Sequence, residues 1–236
     1  MKSSSGDPVC KLILLGNGSV GKSSIIARFV DDGFARQYKQ TIGLDFFEKK
    51  IHLPHEKRVV LQVWDIGGQN INSKMLDKYI FGADIVFLCY DVTDPKSFAD
   101  LDDWLDLARK PTPPPPDSNK KQYLYAVGNK IDLVGLRAVS EDAHHAFVAT
   151  HKLAGGFLLS AHSGDNVLRT VHQIAGRAVG VDLSDFELSF LDKPVAAYAL
   201  APSPDENDPR TACADAIEAE DAAHERAKRR QKCTLM

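Results

Sequence analysis

Val9-Cys10-Lys11-Leu12-Ile13-Leu14-Leu15, followed at once by Gly16-Asn17-Gly18-Ser19-Val20-Gly21-Lys22-Ser23, is the stretch on which the fold turns. The first seven residues form a short, nearly continuous apolar run, the pattern of a strand buried on both faces. From Lys22 onward the spacing becomes helical. Between the two lies GxxxxGK[ST], which carries chemical meaning when it joins a strand to a helix. Its glycines let successive backbone N–H groups turn inward around phosphate oxygens, and the helix N-terminus adds the positive end of its dipole. Gly18, Ser19, Val20 and Gly21 would form that cradle. Lys22 would reach the β- and γ-phosphates, Ser23 would ligate Mg2+, and Ser24 would touch the α-phosphate. The motif specifies a nucleotide without naming its base.

Working outward, residues 44–53 and 58–65 alternate in polarity around Pro54-His55-Glu56, which predicts a hairpin. Apolar runs at 85–90 and 123–127 read as buried parallel strands. Helical stretches follow them at 96–109 and 140–151, and a short strand at 156–159 precedes a helix over 165–179. Strand and helix alternating in this way predict an α/β fold: a six-stranded, mostly parallel sheet flanked by about five helices. Ligands of such sheets sit beyond the carboxyl ends of the strands.

Residues 110–121 contain PTPPPPDSNKK, which suits a stiff surface loop rather than a helix or central strand. From Ser184 the composition turns to Pro, Asp, Glu and Ala with little apolar periodicity. The expected organisation is a flexible N-terminus over 1–8, one domain over 9–182 and a disordered tail over 183–236. A net charge of −3 on 236 residues gives no electrostatic case for nucleic-acid binding. The four cysteines make no CxxC pair and no disulfide framework, and Cys10 and Cys89 read as buried thiols. The N-terminus lacks a secretory apolar core and a Gly at position 2, and no run approaches the roughly 18 apolar residues of a membrane helix. A reducing cytosol is the expected compartment.

Further along lie Asn129-Lys130-Ile131-Asp132, Ser160-Ala161-His162, Gln40-Thr41-Ile42-Gly43 and Trp64-Asp65-Ile66-Gly67-Gly68-Gln69. With the phosphate loop, these resemble in order and spacing the motifs of the Ras superfamily of small GTPases. The resemblance covers about residues 8–182 and implies a monomeric P-loop G domain that binds GTP and GDP with Mg2+ and hydrolyses GTP. In it, Asp132 selects guanine by accepting from N1–H and the exocyclic amine, and adenine lacks that donor pair. Asn129 and Lys130 brace the base pocket and the phosphate loop. Ser160 and Ala161 belong to the base-binding loop, where Ala161 offers its backbone N–H to the guanine oxygen. His162 stands where the family carries Lys. Phe34 packs on the guanine edge, and Tyr38 is a further nucleotide contact. Thr41 is the mobile Mg2+ ligand, and Asp65 holds the metal through a water. Gly68 offers an N–H to the γ-phosphate and Gln69 orients the attacking water, with Lys22 and Thr41 completing the catalytic set. Gly18 leaves room for Gln69 and for an arginine supplied by a partner.

Ile42-Gly43-Leu44-Asp45-Phe46, Trp64, Tyr79-Ile80-Phe81-Gly82-Ala83 and Tyr90-Asp91-Val92-Thr93 resemble Rab signatures. The combination of YKQTIGLDFF with WDIGGQ is most similar to the Rab twenty-eight subfamily. Ile66, Gly67 and Asn70 depart from the commoner residues, and the extra glycine predicts a loosely ordered loop in the GDP form. The chain ends Cys233-Thr234-Leu235-Met236, a C-a-a-X box, with Lys228, Arg229, Arg230 and Lys232 just upstream. This combination predicts prenylation of Cys233 and a lipid anchor helped by basic residues. The implied partners are an exchange factor, a GTPase-activating protein, GTP-dependent effectors, the prenylation machinery, a prenyl-binding chaperone and the membrane surface. The implied location is the cytoplasmic face of membranes, endosomal or ciliary, with a cytosolic pool. A P-loop kinase would leave NKID, Gln69 and CTLM unexplained. A non-hydrolysing GTP-binding scaffold is opposed by the intact Gly18, Thr41 and Gln69. A Ras-like signalling GTPase is separated from a trafficking one only by the Rab-like segments.

Overall fold

The structure, a computed structural model, describes residues 6–31, 41, 43–54, 56–68, 76–110, 122–189 and 191. Phe34, Tyr38, Gln69, Asn70, most of the proline-rich segment and the tail with Cys233 lie outside the described residues. The chain divides into two units, Met1–Lys193 and Pro194–Met236, and all that follows concerns the first.

Six strands among the described residues form one sheet: β1 (Val9–Leu15), β2 (Leu44–His52), β3 (Arg58–Ile66), β4 (Ile85–Asp91), β5 (Tyr123–Asn129) and β6 (Gly155–Leu158). Their order is β2-β3-β1-β4-β5-β6. The β2–β3 hairpin is antiparallel, with Leu44 opposite Ile66 and His52 opposite Arg58. All other pairings are parallel. Every residue of β4 is buried, which is why its sequence reads as a continuous apolar run instead of an alternation. In β1 the alternation splits the core: Leu12 and Leu14 pack on one face of the sheet, Ile13 and Leu15 on the other. The first face is covered by α1 (Lys22–Asp31) through Ile25, Ile26 and Phe29, and by α6 (Val167–Ala178) through Val171 and Ile174. On the second face lie α2 (Leu76–Ile80), α3 (Pro95–Ala99), α4 (Leu101–Ala108) and α5 (Glu141–Thr150).

The local chemistry explains most boundaries. Ser140 caps α5, its Oγ accepting from the Ala143 N–H at 3.1 Å. Asp94 caps α3 by accepting from the Lys96 N–H at 3.0 Å, and Pro95 follows at the first helical position. The helix expected over 96–109 is two helices, because Asp100 both ends α3 and begins α4. Packed structure continues beyond residue 182: α7 (Asp185–Ser189) follows α6, with Leu188 1% exposed and Asp185 paired with Arg169 at 2.6 Å.

The consequence for function is positional. Gly16, Asp65, Asp91 and Asn129 stand at or just past the carboxyl ends of β1, β3, β4 and β5. The chain leaves β1 toward β3 on one side and returns at β4 on the other. That reversal opens a crevice at this edge of the sheet.

Candidate nucleotide site

The phosphate loop is shaped by conformations that need glycine. Gly16 has φ +139°, and a Cβ there would lie 2.1 Å from the Cys89 carbonyl oxygen. Gly21 has φ +95°, and a Cβ would meet the Asn129 amide at 2.3 Å. Both positions exclude any side chain. At the loop's end, α1 begins with Lys22, whose ammonium donates to the carbonyls of Gly16 at 2.7 Å and Asn17 at 2.8 Å. Only 6% of Lys22 is exposed. Burial pushes its pKa down, opposed by Cys89 and Asp65. A buried cation whose hydrogen bonds, among the described residues, go to neutral carbonyl oxygens is poised for an anion.

Beside it three side-chain oxygens from distant parts of the chain converge. Ser23 Oγ donates to Asp65 Oδ2 at 2.5 Å and lies 2.8 Å from Thr41 Oγ1, which reaches Asp65 Oδ2 at 3.3 Å. Asp65 is 1% exposed, and among the described residues its Oδ1 has no hydrogen-bond partner. Burial raises its pKa, while Ser23, Lys22 and Thr41 oppose the shift. A nearly dry carboxylate with one orphaned oxygen, flanked by two hydroxyls, is a hard-oxygen set suited to Mg2+. Gly67 adjoins this cluster. Its N–H donates to the Gly43 carbonyl at 3.1 Å, and a Cβ would lie 2.6 Å from the Thr41 carbonyl oxygen. The glycine here permits close approach of the Thr41 backbone, a use distinct from the loosening expected from sequence.

On the base side, Asn129 is 1% exposed and links two loops. Its amide donates to the Val20 carbonyl at 2.9 Å and accepts from the Ala161 N–H at 3.0 Å. The N–H that the sequence assigned to guanine is thus bonded to Asn129 in this structure. Lys130 donates to the Ser19 carbonyl at 3.0 Å and pairs with Asp91 at 2.6 Å. Burial works against the Asp91 charge, but bonds from Lys130 and Thr93 hold its carboxyl below the usual range. Asp132 Oδ1 accepts from Ser160 Oγ at 2.5 Å, and its Oδ2 lies 3.4 Å from His162 Nδ1. The NKID and SAH segments therefore meet.

Sequence reasoning missed Arg28. From the last turn of α1 it donates to the carbonyls of Ala161 at 2.9 Å and His162 at 2.5 Å, clasping the base loop from behind. The available signal was a charged residue on the apolar face, between Ile25 and Phe29. Asn17, an unspecified position of the motif, was also missed. Away from the cleft, Phe46, Trp64 and Tyr79 form an aromatic row, with ring centroids 5.5 Å and 6.3 Å apart in turn. Phe46 is 49% exposed. Lys11 lies 4.2 Å over the Trp64 ring and donates to the Phe81 carbonyl at 2.8 Å.

Residues 11–179 match the Ras family. Over 182 residues the chain is 44% identical to Ras-related protein Rab-28 of Caenorhabditis elegans, covering 77% of this chain and 72% of that protein. It is 38% identical over 161 residues to GTP-binding protein yptV5 of Volvox carteri, covering 67% and 77%. Identity to Ras-related protein Rab-7b of Paramecium octaurelia is 33% over 184 residues, covering 76% and 85%. The matched span runs from β1 into the end of α6 and includes every element that lines the cleft. The chain belongs to the Ras family and is a small GTPase of the Rab type.

Proposed function

We propose that the chain binds GDP and GTP with Mg2+ at the carboxyl edge of the sheet and hydrolyses GTP to GDP and phosphate. It thereby acts as a switch in vesicle and membrane traffic. The observation that carries this reading is the convergence of Ser23, Thr41 and Asp65, with its orphaned Oδ1, beside the buried Lys22 ammonium. Ser23 and Thr41, with Asp65 through a water, would hold Mg2+, which would supply positive charge to the phosphate oxygens. Gly18 to Gly21 cradle the phosphates with backbone N–H groups, and Ser24 meets the α-phosphate. Lys22 keeps its two carbonyl partners and turns its remaining N–H to the β- and γ-phosphate oxygens. Gly68 gives its N–H to the γ-phosphate and Gln69 orients the attacking water. None of these groups is basic enough to deprotonate that water outright, so positioning and charge stabilisation carry the rate. Intrinsic turnover is then slow, about 10⁻⁴ to 10⁻³ per second, until an activating protein adds an arginine.

Asp132 reads the base with Asn129, Lys130, Ser160, Ala161 and His162, and Phe34 and Tyr38 close over the nucleotide. Thr41 couples the site to the surface. Among the described residues its loop reaches the cluster through the Thr41 hydroxyl, so it orders with GTP and relaxes after hydrolysis. The row of Phe46, Trp64 and Tyr79 follows that loop and offers effectors an aromatic face that depends on the nucleotide. Exchange factor, activating protein and effectors are the expected protein partners. Prenyl-processing enzymes and a prenyl-binding chaperone serve the tail, which anchors the chain to the cytoplasmic face of an endosomal or ciliary membrane.

Calorimetry tests the nucleotide. GDP and GTP should bind with Mg2+ present, and ATP should give no measurable heat. Ser23→Asn should weaken GTP more than GDP, by about tenfold for one lost charge-assisted contact. Comparable ATP and GTP affinities would refute the guanine assignment. For the tail, prenylated protein should float with anionic vesicles and Cys233→Ser should stay in solution at any ionic strength. Salt should weaken only the basic contribution of Lys228, Arg229, Arg230 and Lys232. If Cys233→Ser floats as well as wild type, the anchor lies elsewhere.

A further inference from the structure

The phosphate loop is tied down from two sides. On the base side, Asn129 holds the Val20 carbonyl and Lys130 holds the Ser19 carbonyl. On the other side the tie is the Asn17 side chain. Its Nδ2 donates to Asp100 Oδ2 at 2.6 Å, and its Oδ1 accepts from Trp104 Nε1 at 2.8 Å. Trp104 is 1% exposed, so its indole N–H depends on this acceptor. The two neighbours make opposite demands: the carboxylate needs a donor and the indole needs an acceptor. An asparagine amide meets both, whereas an aspartate at the same place meets only the second. Asp100 is also the residue at which the long helix breaks into α3 and α4. The break brings its carboxylate to the loop.

The backbone of the same residue carries what matters for chemistry. The Asn17 carbonyl accepts from Lys22 Nζ at 2.8 Å. A Cβ on Gly68 would lie 2.4 Å from the Asn17 carbonyl carbon and 2.5 Å from its oxygen, so the Gly68 backbone rests directly on the 17–18 peptide. Lys22 and Gly68 are both assigned above to the γ-phosphate, and Lys22 also reaches the β-phosphate.

We propose that Asn17, held by Asp100 and Trp104, is a positioning residue for GTP hydrolysis that fixes the peptide against which Lys22 and Gly68 are set. The inference rests on the guanine-nucleotide reading of the loop. Releasing Asn17 should disturb the γ-phosphate end, where both groups act, more than the remaining contacts that hold GDP. Those contacts come from the rest of the loop and from the base side.

The test is an exchange of partners. Asn17→Asp places two carboxylates at the 2.6 Å contact and forces them apart. Single-turnover hydrolysis should fall by about tenfold, the scale of a sub-ångström misplacement of reacting groups. GDP dissociation should change much less. In the double variant Asn17→Asp/Asp100→Asn, the amide at 100 donates to the carboxylate at 17, and that carboxylate still accepts from the indole. Hydrolysis should return close to the wild-type rate, even though a charge remains in the phosphate loop. Trp104→Phe removes the indole N–H alone from the tie and serves if Asn17→Asp does not fold. It should slow hydrolysis more than it speeds GDP release. The proposal is overturned if Asn17→Asp hydrolyses like wild type, if it loses GDP retention and hydrolysis alike, or if the double variant stays slow. A wild-type chain that binds no GTP would instead remove the nucleotide reading itself, so the two failures are separable.

Discussion

Asp132→Asn is expected to lower GTP affinity by about 10⁴-fold and to make xanthosine triphosphate the preferred ligand. The carboxylate is positioned as an acceptor by what surrounds it. Ser160 donates to Oδ1 at 2.5 Å, while the oxygen of that same hydroxyl accepts from the Ser163 N–H at 3.0 Å. The hydroxyl proton is therefore committed to residue 132, and an asparagine there must turn its carbonyl toward Ser160. Its NH2 then occupies the place of Oδ2, where guanine N1–H and the exocyclic amine need an acceptor. Two donors face donors, and each desolvated and unpaired group costs about 1–3 kcal/mol, so the combined loss reaches the stated range. Xanthine carries a carbonyl in place of the amine and accepts from the new NH2. Competition against labelled GDP with GTP and xanthosine triphosphate measures both affinities on one protein. A variant that still prefers GTP would place base recognition on other residues.

How much of this was legible in the sequence depends on how far apart the interacting residues lie. The β1–loop–α1 unit was legible because strand, glycine turn and helix start are adjacent, and their conformations are local consequences of sequence. NKID and SAH were legible as motifs, and their meeting follows from β5 and β6 being neighbours in the sheet. Arg28 was not, because its partners are 133 and 134 residues away. Only the packing of α1 against the loop after β6 makes them partners. The tie between Asn17, Asp100 and Trp104 failed to appear for the same reason. The break between α3 and α4 was invisible because the apolar spacing continues across Asp100 without glycine or an internal proline to interrupt it. In α7 one buried leucine in an acidic segment carries the packing, too little for periodicity to register.

Acid should destabilise the folded chain between pH 6.5 and about 4, and His144 should account for about 3 kcal/mol of that loss. The ring is fully buried in the core, where Tyr90 Oη lies 3.0 Å from Nδ1. Among the described residues Nε2 has no partner, and it occupies the space that a Gly156 side chain would fill, 2.3 Å from where its Cβ would be. Burial pushes His144 from an ordinary 6.5 down to about 4; His145 and Arg137 add to the fall and Glu141 opposes it. The folded state thus refuses a proton that the unfolded chain accepts below 6.5. Stability is full above that value and drops by up to about 1.4 kcal/mol per pH unit as the pH approaches 4, after which this residue adds nothing more. His172, also lowered by burial, acts in the same direction below 6.5. Asp91, whose carboxyl is held low, begins to count only below its ordinary 3.8. Gln is the informative replacement at 144, since its carboxamide oxygen can accept from the Tyr90 hydroxyl and it gains no proton. Urea unfolding with fixed GDP and Mg2+ should find His144→Gln less stable than wild type at pH 7, because the ring's packing is lost. By pH 4.5 that deficit should shrink by roughly 2–3 kcal/mol, since nucleotide effects are common to both proteins and cancel. Parallel stability curves across this range would mean that the buried imidazole accepts its proton in the fold without penalty, and the source of any acid sensitivity would have to be sought among the carboxylates.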